Sequence, residues 1–147
     1  MDARRYLEEI VAPTIAEYEA EPTSVRRAFL ACVAAFHTVD HLAHPASGRS
    51  LRQKFNRESS DFKLIDSIAH AFKHVSVGAA APDHAKGLSA DEVISRPPGF
   101  WDVAVWDLSR WDDPAGGVTL ARANEVDLLT ALRSTLAFLR SAAPNSV

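Results

Sequence analysis

The chain has 147 residues, 47% of them hydrophobic and 24% charged, which is room for one ordinary domain with a real core and little room for two. Sixteen Lys and Arg against nineteen Asp and Glu leave a net charge of −3, so a surface basic all over is excluded and only a local basic patch remains open to nucleic acid. The single cysteine, Cys32, excludes an intramolecular disulfide and hence a secreted, disulfide-stapled scaffold.

The first twenty residues interleave Glu with apolar side chains and hold no continuous apolar core, so they do not read as a signal peptide. From Arg4 to Glu19, Leu7, Ile10, Val11, Ile15 and Tyr18 recur at three- and four-residue steps and predict a helix that Pro13 kinks or divides. Pro22 with Thr23 or Ser24 marks a stop and a new cap, and the run from Val25 to His44 contains no breaker before Pro45. On this central helix Val25, Phe29, Cys32, Val33 and Phe36 share a face, while Ala28, Ala31, Ala34 and Ala35 let neighbours approach the other sides. Cys32, set among Ala and Val, is expected to be an inert core thiol.

Residues 45–60 are polar and turn-rich, a connector with at most a short helix around Leu51 to Phe55. From Asp61 to about Val77 a further helix carries Ile65, Ile68, Phe72 and Val75 on its apolar stripe and Asp66, His70, Lys73 and His74 opposite, with Gly78 as its stop. Residues 78–99 read as loop. Beyond Pro97–Pro98, the alternation in 101–111 and the stretch from Val118 to Ala121 predict a β-hairpin joined through DDPAGG. Trp101, Trp106 and Trp111 recur every five residues, an odd step that would send successive rings to opposite faces of a strand, so no single stacking platform is expected. The last helix takes Asn124 as cap, Glu125 and Asp127 in its first turn, and Leu128, Leu129, Leu132, Leu136 and Leu139 as its buried stripe. No internal repeat, and no apolar run of about 18 residues able to cross a membrane, is evident. The expected fold class is therefore mainly α: a single domain over 1–147, a bundle of about four helices with a small β-hairpin before the C-terminal one.

Five of the six histidines fall on two helices. His37, Asp40, His41 and His44 are spaced by three and four residues, and Asp66, His70 and His74 by four and four, so each set stacks along one side of its helix. If the helices pack antiparallel, His37, His41, His70 and His74 could ligate a divalent transition metal, with Asp40 and Asp66 as further candidates. The alternative is that His70 and His74 are solvated on a polar face beside Lys63, Ser67 and Lys73. Neither the Glu-x-x-His pairs of di-iron bundles nor H-E-x-x-H is present. Asp40 projects near the Phe29, Val33 and Phe36 face, where a carboxylate needs a partner, with Lys73, His74 or an arginine from another helix as candidates. Arg49, Arg52, Lys54 and Arg57 put four cations into nine residues, a footprint that could hold phosphates or be only a solvated connector.

The stretch from Ile68 to His74 (IAHAFKH), preceded by a helix carrying FHTVDH (Phe36 to His41), resembles a group of small bacterial helical proteins and, more distantly, the HEPN superfamily. Many HEPN domains are RNA-cleaving or nucleic-acid-associated modules. Their ribonucleases carry an arginine, a polar residue, three variable residues and a histidine on one helix, usually paired across a dimer. His70 matches the polar position and His74 the histidine, while Ala69 stands in place of the arginine. The resemblance thus implies a homodimeric RNA-binding module without a resident cofactor, degenerate in catalysis where Ala69 replaces the arginine, with Asp40, His70, Lys73 and His74 as its polar centre; the lone cysteine fits a reducing cytoplasm. In metal-free RNA cleavage a histidine serves as acid or base and a cation stabilises the phosphate charge. A metal-dependent hydrolase or oxidase, and a purely structural or interaction subunit, stand as the alternatives.

Overall fold

The computed structural model describes residues 1–73, 85–121 and 127–143. The protein is mainly helical with a small antiparallel two-stranded sheet, and five helices lie among the described residues where about four were expected. The additional one, α3, comes from the presumed connector.

Helix α1 joins a turn at Ala3–Tyr6, a π-helical segment at Leu7–Val11 and an α-helical stretch at Ala12–Ala20. Asp2 caps it, accepting from the Arg5 N–H at 2.8 Å. Pro13 does not divide this helix, which runs on through it to Ala20. The wider π turn immediately before it accommodates the missing donor and the bulk of the ring. Leu7, Val11, Ile15 and Tyr18 are buried, whereas Ile10, expected on the same stripe, is exposed, the inward face stepping from Leu7 to Val11 across the π-helical segment.

Helix α2, Val25–Ala43, starts at Ser24, whose hydroxyl accepts from the Arg27 N–H. It is the central element, packed against α1, α4 and α5. Its innermost surface is the alanine side: Ala28, Ala31 and Ala35 are fully buried with Cys32 and Val39, while Val25, Phe29 and Val33 are only half-buried. Small side chains let three neighbouring helices approach one axis closely, so the alanines hold the centre and the phenylalanines flank it. Burial pushes the Cys32 thiol pKa up, as befits an unreactive core thiol.

Helix α3 spans Arg49–Glu58 and α4 spans Ser60–Lys73 within the described residues; the expected continuation through His74 to Val77 and the stop at Gly78 lie outside them. Ser59 separates the two helices, accepting from the Phe62 N–H at 3.0 Å. Phe55 and Phe62 turn inward and meet Phe138 of the last helix edge-on and tilted.

The sheet forms elsewhere than the alternation suggested. Strand β1 is Val93–Arg96 and pairs antiparallel with β2, Gly117–Leu120, Val93 lying opposite Leu120 and Arg96 opposite Gly117. The first strand thus precedes Pro97–Pro98, which end it because proline cannot donate to the ladder. Residues 101–111 form turns instead. The Val118 N–H donates to the Tyr18 hydroxyl at 3.2 Å and joins the sheet to α1. Helix α5, Leu128–Ala142, is capped by Asp127, which accepts from the Thr130 N–H at 2.9 Å; Asn124 and Glu125 lie outside the described residues. Leu128, Leu132 and Leu139 are fully buried, and Leu129 and Leu136 pack at the edge of the core. Arg140 clasps Glu8 with two bonds, and Arg133 pairs with Glu19, fastening α5 to α1.

Candidate functional site

Helical spacing builds the site. On α3, Arg52 and Asn56 stand one turn apart on the inward side; on α4, Asp66 and His70 do the same; α2 supplies Phe36, His37 and Asp40. Together with Phe29, Val33, Ala69 and Lys73, five of these seven line a cleft of about 420 Å³ (Phe36, His37, Asp40, Arg52 and His70), and Asn56 and Asp66 lie behind it.

Phe36 is its centre. The ring meets His37 edge-on at 5.1 Å and His70 edge-on at 5.3 Å, while the Arg52 guanidinium lies 4.2 Å above its face. Both histidines are oriented through Nδ1. His70 Nδ1 donates to the Asp66 carbonyl at 2.7 Å and lies 3.5 Å from Asp66 Oδ1. Since a carbonyl oxygen only accepts, Nδ1 carries the hydrogen and Nε2 is the nitrogen left for proton transfer. Asp66 is fully buried, and Asn56 Nδ2 donates to its Oδ2 at 2.9 Å. Asn56 therefore ties α3 to α4 through the Asp66 carboxylate, while the Asp66 backbone carbonyl holds the imidazole from behind. His37 Nδ1 lies 3.1 Å from Asp40 Oδ2, and Arg52 Nη2 donates to Asp40 Oδ1 at 3.3 Å. Arg52 Nε is buried without a hydrogen-bond partner, so this guanidinium retains a donor beyond those Asp40 engages.

The expected site residues fare differently. Asp40 has the arginine partner its position called for, Arg52, yet it is half exposed at the cleft rim, because α3 packs beside this end of α2 rather than over it. Among the described residues the fully buried carboxylate is Asp66, expected on the polar face of α4; α3 folds over that face at Asp66, where Asn56 meets it, while Lys73 stays exposed. His70 and Lys73 line the cleft, and His74 lies outside the described residues. Of the proposed metal ligands, His37 and His70 come together at Phe36. His41 points to the other side of α2, stacked on Tyr6 at 4.0 Å with its Nδ1 donating to the Met1 carbonyl at 3.3 Å. Among the described residues no three His, Cys, Asp or Glu side chains are grouped to hold a metal ion. The cationic run divides: Arg52 enters the cleft, Arg49 and Arg57 are exposed on α3, and Lys54 pairs along the surface with Glu58 at 3.8 Å.

Asn56 and the central role of Phe36 escaped sequence reasoning. The available signal was four-residue spacing: Asn56 follows Arg52 by four and Asp66 precedes His70 by four, which matters only once residues 49–58 are known to be helical.

Fold and site define a helical bundle with a histidine-bearing cleft beside a basic helix. Comparisons with protein-family models, with curated proteins and with solved structures gave no match.

Proposed function

We propose that the chain is a HEPN-like helical module that binds RNA, with the phosphate backbone running along α3 and one phosphodiester seated in the cleft. The observation that carries this reading is the posture of His70, fixed in one tautomer by Asp66 with Nε2 left free, in a cleft that also holds Arg52 and Lys73. Its described lining offers acid–base and cationic groups but no Ser, Thr or Cys nucleophile, which suits a substrate bringing its own attacking group, as the 2′-hydroxyl of RNA does. Arg49 and Arg57 extend the positive surface along the helix, and Arg52 supplies from α3 the cation that Ala69 cannot supply from α4. In this reading the module works as a homodimer in a reducing cytoplasm.

The test is binding of the full chain to single-stranded RNA across a salt series. Expected are a log–log slope of about −2 to −3, for three or four phosphate contacts at roughly 0.7 per contact, and a slope shallower by about 0.7 in Arg57→Ala. His70→Ala should keep binding and remove whatever chelator-resistant cleavage the wild type has. Binding that ignores salt, or that survives Arg49→Ala/Arg52→Ala/Arg57→Ala unchanged, defeats the proposal.

A further inference from the structure

The segment between the two strands is a built object. Three successive turns start at Phe100, Val105 and Arg110, and each continues with Trp and then Asp: Trp101–Asp102, Trp106–Asp107, Trp111–Asp112. In the first two, the carbonyl that opens the turn accepts from the N–H groups three and four residues on; in the third, Arg110 accepts from Asp113. The five-residue step that would scatter the rings across a strand instead places one tryptophan on each turn, and the rings gather. Trp101 and Trp111 lie 5.2 Å apart at 52°, and Trp106 and Trp111 lie 6.2 Å apart at 75°. Tilted and edge-to-face contacts of this kind gather the rings without stacking them flat on one another.

The frame is tied down at both ends. The Gly99 N–H donates to the Asp113 carbonyl at 3.0 Å, and a Cβ at Gly99 would sit 2.1 Å from the Arg110 carbonyl oxygen, an approach only glycine permits. Asp107 stands at φ 66°, and the Ser109 hydroxyl accepts from the Val105 N–H at 2.9 Å. Despite this order the rings face solvent, Trp101 being 86%, Trp106 81% and Trp111 56% exposed. Between them is a small pocket of about 100 Å³, lined by all three tryptophans, Asp107 and Ser109.

We propose that this pocket is an aromatic cage for the methylated ammonium head of a small soluble cation of the choline class. Indole faces attract cations through their quadrupole, most strongly when the cation is weakly hydrated, as a methylated ammonium is. Asp107 lines the pocket, Asp102 follows Trp101 in the chain, and the cation of the segment, Arg110, is paired with Asp112 at 3.6 Å, so the local charge favours cations over anions. The pocket volume accommodates the head alone, and its apolar walls suit methyl groups better than N–H donors.

Titration of the full chain with choline and with tetramethylammonium, followed by tryptophan fluorescence and calorimetry, tests the assignment against the neutral isostere 3,3-dimethylbutan-1-ol. Expected is saturable binding of both cations, about tenfold or more tighter than the isostere, because only the cations gain the quadrupole attraction. Trp106→Leu should lose most of that binding and Trp106→Phe keep part of it, with helical circular dichroism unchanged in both. Equal binding of cation and isostere overturns the cage, since it leaves an unselective apolar hollow. The proposal equally fails if neither cation binds and the fluorescence responds only to protein concentration or to phosphatidylcholine vesicles; the loop is then a self-association or membrane-contact surface.

Discussion

The histidine cleft and the tryptophan loop use opposite means to hold functional groups still. In the cleft three helices converge, the Asp66 carboxylate is fully buried against Asn56, and His70 is held by the Asp66 backbone carbonyl. In the loop the rings stand in solvent, held by local turns and by the contact between Gly99 and the 110–113 segment. Positioning in the first region thus depends on the stability of the whole bundle. In the second it depends on a few backbone hydrogen bonds, so damage to one region should leave the other intact.

Asp66→Ala should show the largest effect. It removes the buried carboxylate that accepts from Asn56 Nδ2 and lies 3.5 Å from His70 Nδ1, with an expected loss of about 3 kcal/mol in urea unfolding and an unchanged m-value. A loss under about 1 kcal/mol means that this carboxylate does not hold α3 to α4. Gly99→Ala comes next. Its Cβ collides with the Arg110 carbonyl, so the loop must open, at about 1–2 kcal/mol, with a change in tryptophan emission as the rings separate and helical circular dichroism retained. Loss of helicity along with the emission shift would show the two regions to be coupled. Trp106→Ala, by contrast, should stay within about 0.5 kcal/mol of wild type, since an exposed ring contributes little packing.

The smallest effect belongs to the clasp between α5 and α1. The Arg140 guanidinium lowers the Glu8 carboxyl pKa below its usual 4.5. A carboxyl with a depressed folded pKa contributes stability that is fully present above its unfolded value and fades as pH falls through its folded value. Both side chains are substantially exposed, so solvent screening limits the contribution to a few tenths of a kcal/mol. The gap between wild type and Glu8→Gln should therefore be small near neutral pH and vanish as acidification carries the pH through the depressed folded value; a gap that grows on acidification contradicts the assignment of the pair.

Much of the helical architecture is legible in residue order alone. The stripes of Leu7, Val11, Ile15 and Tyr18 in α1, of Ile65 and Ile68 in α4, and of Leu128, Leu132 and Leu139 in α5 are set by a period of 3.6 residues, which local side-chain chemistry encodes directly. The caps at Ser24 and Asp127 act over three residues, and the first was recognisable for that reason; the second lost to Asn124 only because neighbouring polar residues compete for the same role. Helix α3 was hidden by its polarity: with Phe55 its one fully inward apolar side chain, it is helical because Phe55 packs against Phe62 and Phe138 and because Arg52 and Asn56 find partners on α2 and α4.

What residue order could not reveal is which polar groups are buried and which strands pair. Asp40 and Asp66 both sit four residues from a histidine or closer, and periodicity cannot rank them; burial of Asp66 is decided by α3 folding across α4, a contact between segments with no shared local pattern. Strand pairing between Val93–Arg96 and Gly117–Leu120 spans the entire tryptophan loop, and its register follows from packing on Tyr18 and α5 rather than from alternation. Local periodicity thus specified four of the five described helices and many of their inward faces, whereas long-range packing decided where charge could be buried, and with it which histidines meet.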